Sequence, residues 1–220
     1  MRRDGMGWVI CGLLSVACGD DHPEINSESY EFQGAIHTVV INAGSGSVVL
    51  TGKAGSLVSV SFSSEGGDSF QFEEVAGRLS VGSLCQDGTL GCGTDVAVLA
   101  PPGTDFEIFT DSGPVTVTGM DVIGRIETTS GAIFALDLGP MILSTRSLSG
   151  DHQVTFDEVP LEVEMEGGQS GALSLEVPQG DYQLDISAGG TIQTSGIQDG
   201  PSGPELTLST NTGDVTVTGR

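Results

Sequence analysis

Apolar and polar residues alternate one for one along most of this chain. In 206–209 and again in 215–218, Leu or Val alternates with Thr or Ser, and Asn211, Thr212, Gly213 and Asp214 lie between. Period-two alternation bounded by turn residues predicts half-buried strands joined by a tight turn. The unit recurs upstream, with strand pairs at 106–109 and 115–118, 126–128 and 133–136, 142–145 and 153–156, 161–165 and 173–177, and 182–186 and 191–193. The turn glycines, Gly113, Gly131, Gly150, Gly171, Gly190 and Gly213, are spaced by 18, 19, 21, 19 and 23 residues. A period near 20 is that of a solenoid. Before residue 99 the strands predicted at 36–41, 47–50, 57–62, 71–73, 78–81 and 95–99 are irregularly spaced, and hairpins between neighbours fit them. Pro101, Pro102, Pro114, Pro140, Pro160, Pro178, Pro201 and Pro204 fall at strand ends, as residues unable to donate to a ladder must. The density of Gly, Pro and β-branched residues excludes helices of ordinary length.

Each strand carries one apolar stripe: Val115 and Val117; Leu161, Val163 and Met165; Leu184 and Ile186. One two-strand coil cannot bury such a stripe, but stacked coils can, as two parallel sheets about 10 Å apart with a coil every ~4.8 Å. Six coils make a rod roughly 25–30 Å long on that spacing. An antiparallel sandwich or barrel also uses short strands, but the regular glycine period favours the solenoid. The expectation is a single all-β domain over 36–219, irregular over 36–98 and regular over 99–219, with two short strands per coil. The last coil, 205–219, is expected to end the stack, where it would be frayed, shielded by a loop or paired with a partner.

Charge narrows the partners. The net charge is -23, with Lys+Arg only 7. Nucleic acid is bound by neutralising phosphates, so it is excluded, and electrostatic docking on anionic lipid is disfavoured. Clustered carboxylates invite divalent cations. Glu162, Glu164 and Glu166 should share an outward face and could stack against Asp185 or Glu176, yet the calcium β-roll repeat G-G-x-G-x-D is absent. An acidic face that discourages edge pairing is the expected reading. No metal or other cofactor is expected.

Residues 1–17 have the layout of an export signal: Arg2 and Arg3, then a short apolar run over 8–17. Ser15-Val16-Ala17-Cys18, followed by Gly19, Asp20 and Asp21, resembles a bacterial lipoprotein signal in which Cys18 is lipidated and becomes the new terminus. Ser15 stands where such signals usually carry Leu, so ordinary cleavage stays open. The resemblance implies a cell-envelope protein held to a membrane, the outer one, through a lipid anchor. Residues 18–35 read as a polar tether that includes His22. Cys85 and Cys92 flank the turn-rich 86–91 segment. In an exported chain they are expected to form a disulfide, which over so short a loop adds at most about 2–3 kcal/mol.

The repeated form apolar-x-apolar-x-T-x-S-G-x-apolar-x-apolar, best matched at 106–119, 125–136 and 206–219, resembles the bacterial adhesin-like family DUF4097, related to the head domains of autotransporter adhesins. The resemblance covers about 36–219. It implies a right-handed β-helix-like fold on the cell envelope and supplies no catalytic residue. The expected function is a non-enzymatic adhesin or scaffold that meets a protein or glycan at the surface. A periplasmic sensory module that binds a partner is the alternative. A β-helical carbohydrate-active enzyme is the third reading, resting on Asp151, Asp157 and Glu158 near His152; a solvated charged turn is the plainer account of those residues. His37 is expected as a satisfied or exposed strand histidine. The one Trp, Trp8, lies in the signal, which weakens sugar binding by aromatic stacking.

Overall fold

The computed structural model describes residues 25–65, 69–84 and 93–220. In chain order the strands begin with β1 (Ile25–Phe32), β2 (Thr38–Ala43), β3 (Val48–Gly52), β4 (Val58–Glu65), β5 (Ser69–Val75), β6 (Arg78–Leu84) and β7 (Thr94–Ala100). Next come β8 (Asp105–Thr110), β9 (Val115–Thr118), β10 (Ile123–Thr128), β11 (Ile133–Leu138), β12 (Ile142–Ser147), β13 (His152–Phe156), β14 (Glu162–Gly167) and β15 (Leu173–Val177). The last are β16 (Gly180–Ala188), β17 (Ile192–Ser195), β18 (Ile197–Asp199), β19 (Glu205–Thr210) and β20 (Val215–Gly219). They form two ten-stranded sheets, and the described residues contain no helix. The chain is an all-β solenoid in which each coil gives one strand to each sheet.

Alternation decides which side chains enter. Val39 and Ile41 face Val48 and Leu50 across the first coil, and Phe106 and Ile108 lie in the same layer as Val115 and Val117. The pattern continues through Ile126, Ile133, Leu143, Val154, Val163, Met165, Leu173, Leu206 and Val215, all at most 1% exposed. Leu161 departs from it: it precedes β14 and is 61% exposed.

The turns explain the glycine period. Coils are so close at this corner that a methyl on Gly131 would lie 2.0 Å from the Gly113 carbonyl oxygen, one on Gly150 would lie 1.9 Å from that of Gly131, and one on Gly213 would lie 1.8 Å from that of Gly171. Three residues before several of these glycines an inward hydroxyl receives the glycine N–H: Gly131 donates to Thr128 Oγ1 (2.9 Å), Gly150 to Ser147 Oγ (3.1 Å) and Gly213 to Thr210 Oγ1 (3.2 Å). The T-x-S-G form is thus a turn that satisfies its own buried amide.

The stacking order differs from the sequence order at both ends. Coil β2–β3 lies between β6–β7 and β8–β9. Coil β19–β20 lies between β14–β15 and β16–β17. The expectation that 205–219 ends the stack is therefore corrected: that coil is internal and paired on both sides in both sheets, and β16–β17 is outermost. Residues 25–32, expected as tether, pair antiparallel with β4 as strand β1. Tyr30 and Phe32 are what draw that stretch in. They join Phe62, Phe70 and Phe72 in a ring cluster, with Phe62 stacked on Phe70 at 3.9 Å, that closes one pole of the rod. The hairpins expected there occur as β5–β6, with β1–β4 and β4–β7 as further antiparallel pairs.

Gly150→Ala should lower unfolding stability by about 3 kcal/mol, because the backbone it meets cannot yield. Gly200→Ala meets open space and should stay within about 0.5 kcal/mol of wild type. Urea unfolding of the two variants checks the pair, and equal effects would dispose of the close-packed column.

Candidate functional site

The groups singled out for acid–base chemistry do not come together. His152 opens β13 in phase with Val154 and Phe156, so it points into the core and is 1% exposed. Its Nδ1 lies 2.9 Å from Thr145 Oγ1 and its Nε2 2.7 Å from Ser147 Oγ. The Ser147 hydroxyl already donates to the Gly150 carbonyl (2.9 Å). The network therefore assigns the proton to Nε2, which donates to Ser147, while the Thr145 hydroxyl donates to Nδ1. Burial pushes the ring pKa down to about 4, against a smaller opposing pull from Asp151. Reading this residue as part of a solvated turn is corrected: it is a neutral, fully bonded core histidine.

The nearby carboxylates hold coils together. Asp151 Oδ1 accepts from the Ala172 N–H at 2.8 Å, just as Asp95 accepts from Ser47 (2.8 Å) and Asp214 from Thr191 (2.7 Å). Asp157 pairs with Arg220, and Glu158 is exposed. Glu162, Glu164 and Glu166 do share the outer face of β14. Asp185, however, lies two strands away across Thr207, and Glu176 is on the other sheet. Among the described residues no three His, Cys, Asp or Glu side chains are grouped to hold a metal ion. His37 immediately precedes β2 rather than lying in a strand, and is exposed. Cys18, Cys85 and Cys92 lie outside the described residues.

The two outer faces differ in charge. On the sheet that contains β8, β10, β12 and β14, Arg78 forks onto Glu107 (2.9 and 3.1 Å), Arg125 pairs with Glu127, and Arg146 pairs with Glu166 (3.3 Å). Arg78 holds the Glu107 carboxyl below the usual carboxylate range. On the other sheet one row crosses all ten strands without a charge. It runs Ser29, Ser61, Ala97, Val49, Thr116, Phe134, Gln153, Ser174, Thr216 and Gln193. This face is the feature that the sequence reading missed. Its signal was available, since every second residue of 115–118, 133–136 and 215–218 is uncharged on the outward phase.

No family model matches the chain, and no curated protein matches it. Among solved structures the chain is similar to a putative cell adhesion protein from Clostridium sporogenes, at 12% identity, covering 90% of this chain and 100% of that one, with a TM-score of 0.45. It is also similar to a putative adhesin from Bacteroides fragilis, at 10% identity, 90% and 99% coverage and a TM-score of 0.47. A putative adhesin from Parabacteroides merdae gives 11% identity, 90% and 96% coverage and a TM-score of 0.33. At such identities and scores the likenesses assign neither family nor function to this chain.

His152 predicts an acid limit to stability. The unfolded ring titrates near 6.5 and the folded one at about 4. The folded pKa is the lower one, so the unfolded state takes the proton first as pH falls. The ring's contribution is complete above about pH 6.5, declines towards pH 4, and is constant below. Across that window wild type should lose about 3 kcal/mol relative to His152→Gln. Denaturant unfolding of both proteins at pH 7 and pH 4 measures it; a stability difference independent of pH would mean that the ring is solvated.

Proposed function

We propose that this chain is a non-enzymatic cell-envelope lipoprotein, anchored through Cys18, whose solenoid serves as an adhesin or scaffold. The observation that carries the reading is the charge-free row across one sheet. In a protein of net charge -23, this row, mostly Ser, Thr and Gln, is where a protein or glycan surface can approach while desolvating few carboxylates, those of Glu31, Asp95 and Glu176 lying in the rows beside it. The DUF4097-like repeats, the lipoprotein-like signal and the expected Cys85–Cys92 bridge belong to the same reading. The burial of His152 and the engagement of Asp151 and Asp157 in structural contacts weigh against the carbohydrate-active enzyme.

Fatty-acid labelling of cells should mark wild type and not Cys18→Ala, and protease added to intact cells should cleave the body. Labelling with a body protected until the envelope is permeabilised would instead favour the periplasmic partner-binding module. Failure to label wild type would remove the anchor. Adherence of expressing cells to protein- and glycan-coated surfaces should fall roughly tenfold for Gln153→Glu with Gln193→Glu, two exposed positions in the charge-free row, while unfolding stability stays within about 0.5 kcal/mol.

A further inference from the structure

The two poles of the rod are finished differently. One is closed by antiparallel strands and the cluster of Tyr30, Phe32, Phe62, Phe70 and Phe72. At the other, coil β16–β17 has no coil beyond it among the described residues. Strand β18 pairs with β16 only over residues 180–182. Residues 184–188 of β16 are paired on their β19 side alone. The Gln183 and Gly189 amides point to that paired side, donating to Pro204 and Thr210 carbonyls. By alternation the Leu184, Ile186 and Ala188 backbone groups point to the free side. The Leu184 N–H is met there by Asp199 Oδ1 at 3.2 Å, and the described residues offer no strand to Ile186 and Ala188.

The side chains at this pole are also incompletely covered. Leu184 and Ile186 pair in register with Leu206 and Leu208 of β19. The β19 pair is fully buried, whereas Leu184 and Ile186 are half-buried, and Ile192 across the coil is 46% exposed. A concavity of about 510 Å³ opens beside the start of this edge, lined by Leu184, Asp185, Asp199 and Glu205 among others. From 178 to 219 the sequence contains no Lys or Arg, but includes Asp181, Asp185, Asp199, Glu205 and Asp214.

We propose that this pole binds, by strand addition to the free edge of β16, an extended segment of another protein in which apolar residues alternate with Lys or Arg. Backbone pairing supplies the affinity common to edge-strand recognition. The apolar side chains of the added strand extend the core over Leu184 and Ile186. Its cationic side chains fall on the outward phase beside Asp185. A second copy of this chain is a poor occupant. It brings the same acidic pole, and its described arginines are already paired with carboxylates of their own chain.

The test uses the full chain and the synthetic octapeptide Lys-Val-Lys-Val-Lys-Val-Lys-Val. The peptide should bind saturably and slow amide exchange at Ile186 and Ala188 by at least about tenfold. The glutamate counterpart and a lysine peptide of equal charge interrupted by proline should do neither. Asp181→Lys with Asp185→Lys, both exposed, should weaken the lysine peptide roughly tenfold and admit the glutamate peptide. Ile186→Pro removes one outward amide and should abolish protection at Ala188. No binding, binding with protection elsewhere, equal binding of the proline-interrupted peptide, or indifference to charge reversal would each overturn the proposal. So would concentration-dependent protection of Ile186 and Ala188 in the chain alone, which would make a second copy the occupant.

Discussion

Everything in this solenoid depends on how closely one coil can lie upon the next at its T-x-S-G corner. Strands repeat at the hydrogen-bonding distance of about 4.8 Å, and a corner that follows the same path in each coil must repeat at that distance too. Gly46, Gly113, Gly131, Gly150, Gly171 and Gly213 sit in one column where a methyl group would overlap the neighbouring coil's backbone. With the corner fixed, the alternation on either side can only send one phase inward. The flanking hydroxyls of Thr128, Ser147 and Thr210 then remove the penalty of burying the glycine amides. Packing, hydrogen bonding and backbone freedom converge on the same few positions.

The architecture was legible because that constraint is local. The glycine spacing, the period-two stripes and the proline positions each reflect contacts within a coil or between equivalent points of adjacent coils. The stacking order was not legible. Coils β14–β15, β19–β20 and β16–β17 present nearly the same inward pattern of Leu, Val and Ile, so the sequence holds no cue that the coil at 205–219 slips between the other two. The β1 strand was hidden for a different reason: its aromatic residues, Tyr30 and Phe32, stand in an otherwise polar stretch and gain a partner only through the distant Phe62 and Phe72. His152 was in phase with Val154 and Phe156, but three acidic neighbours made the segment look like solvent-exposed chemistry. Only the buried hydroxyls of Thr145 and Ser147, contributed by the adjoining strand of the same coil, show why a histidine is tolerated there.

Charge is distributed with the same economy. The arginines Arg78, Arg125 and Arg146 are confined to one outer face, where each offsets a glutamate, and such exposed pairs contribute little to stability individually. Their effect is to temper a face that would otherwise be uniformly acidic. The opposite face needs no such tempering along its central row, and the open pole receives none. The rod therefore presents a mixed face, a face with a charge-free central row and an acidic end.

The interleaving of β19–β20 has a consequence for how such a molecule can change. An array whose coils stack in chain order can gain or lose a repeat at its end with little disturbance, since each unit rests on the one made before it. Here the outermost coil, β16–β17, rests on one that follows it in the sequence. Deleting 205–219 would leave a gap of one coil beneath β16–β17, and adding a repeat after residue 219 would not lengthen the rod at that pole. This end of the solenoid is not modular, and β16 to β20 must be gained, lost or replaced as a block.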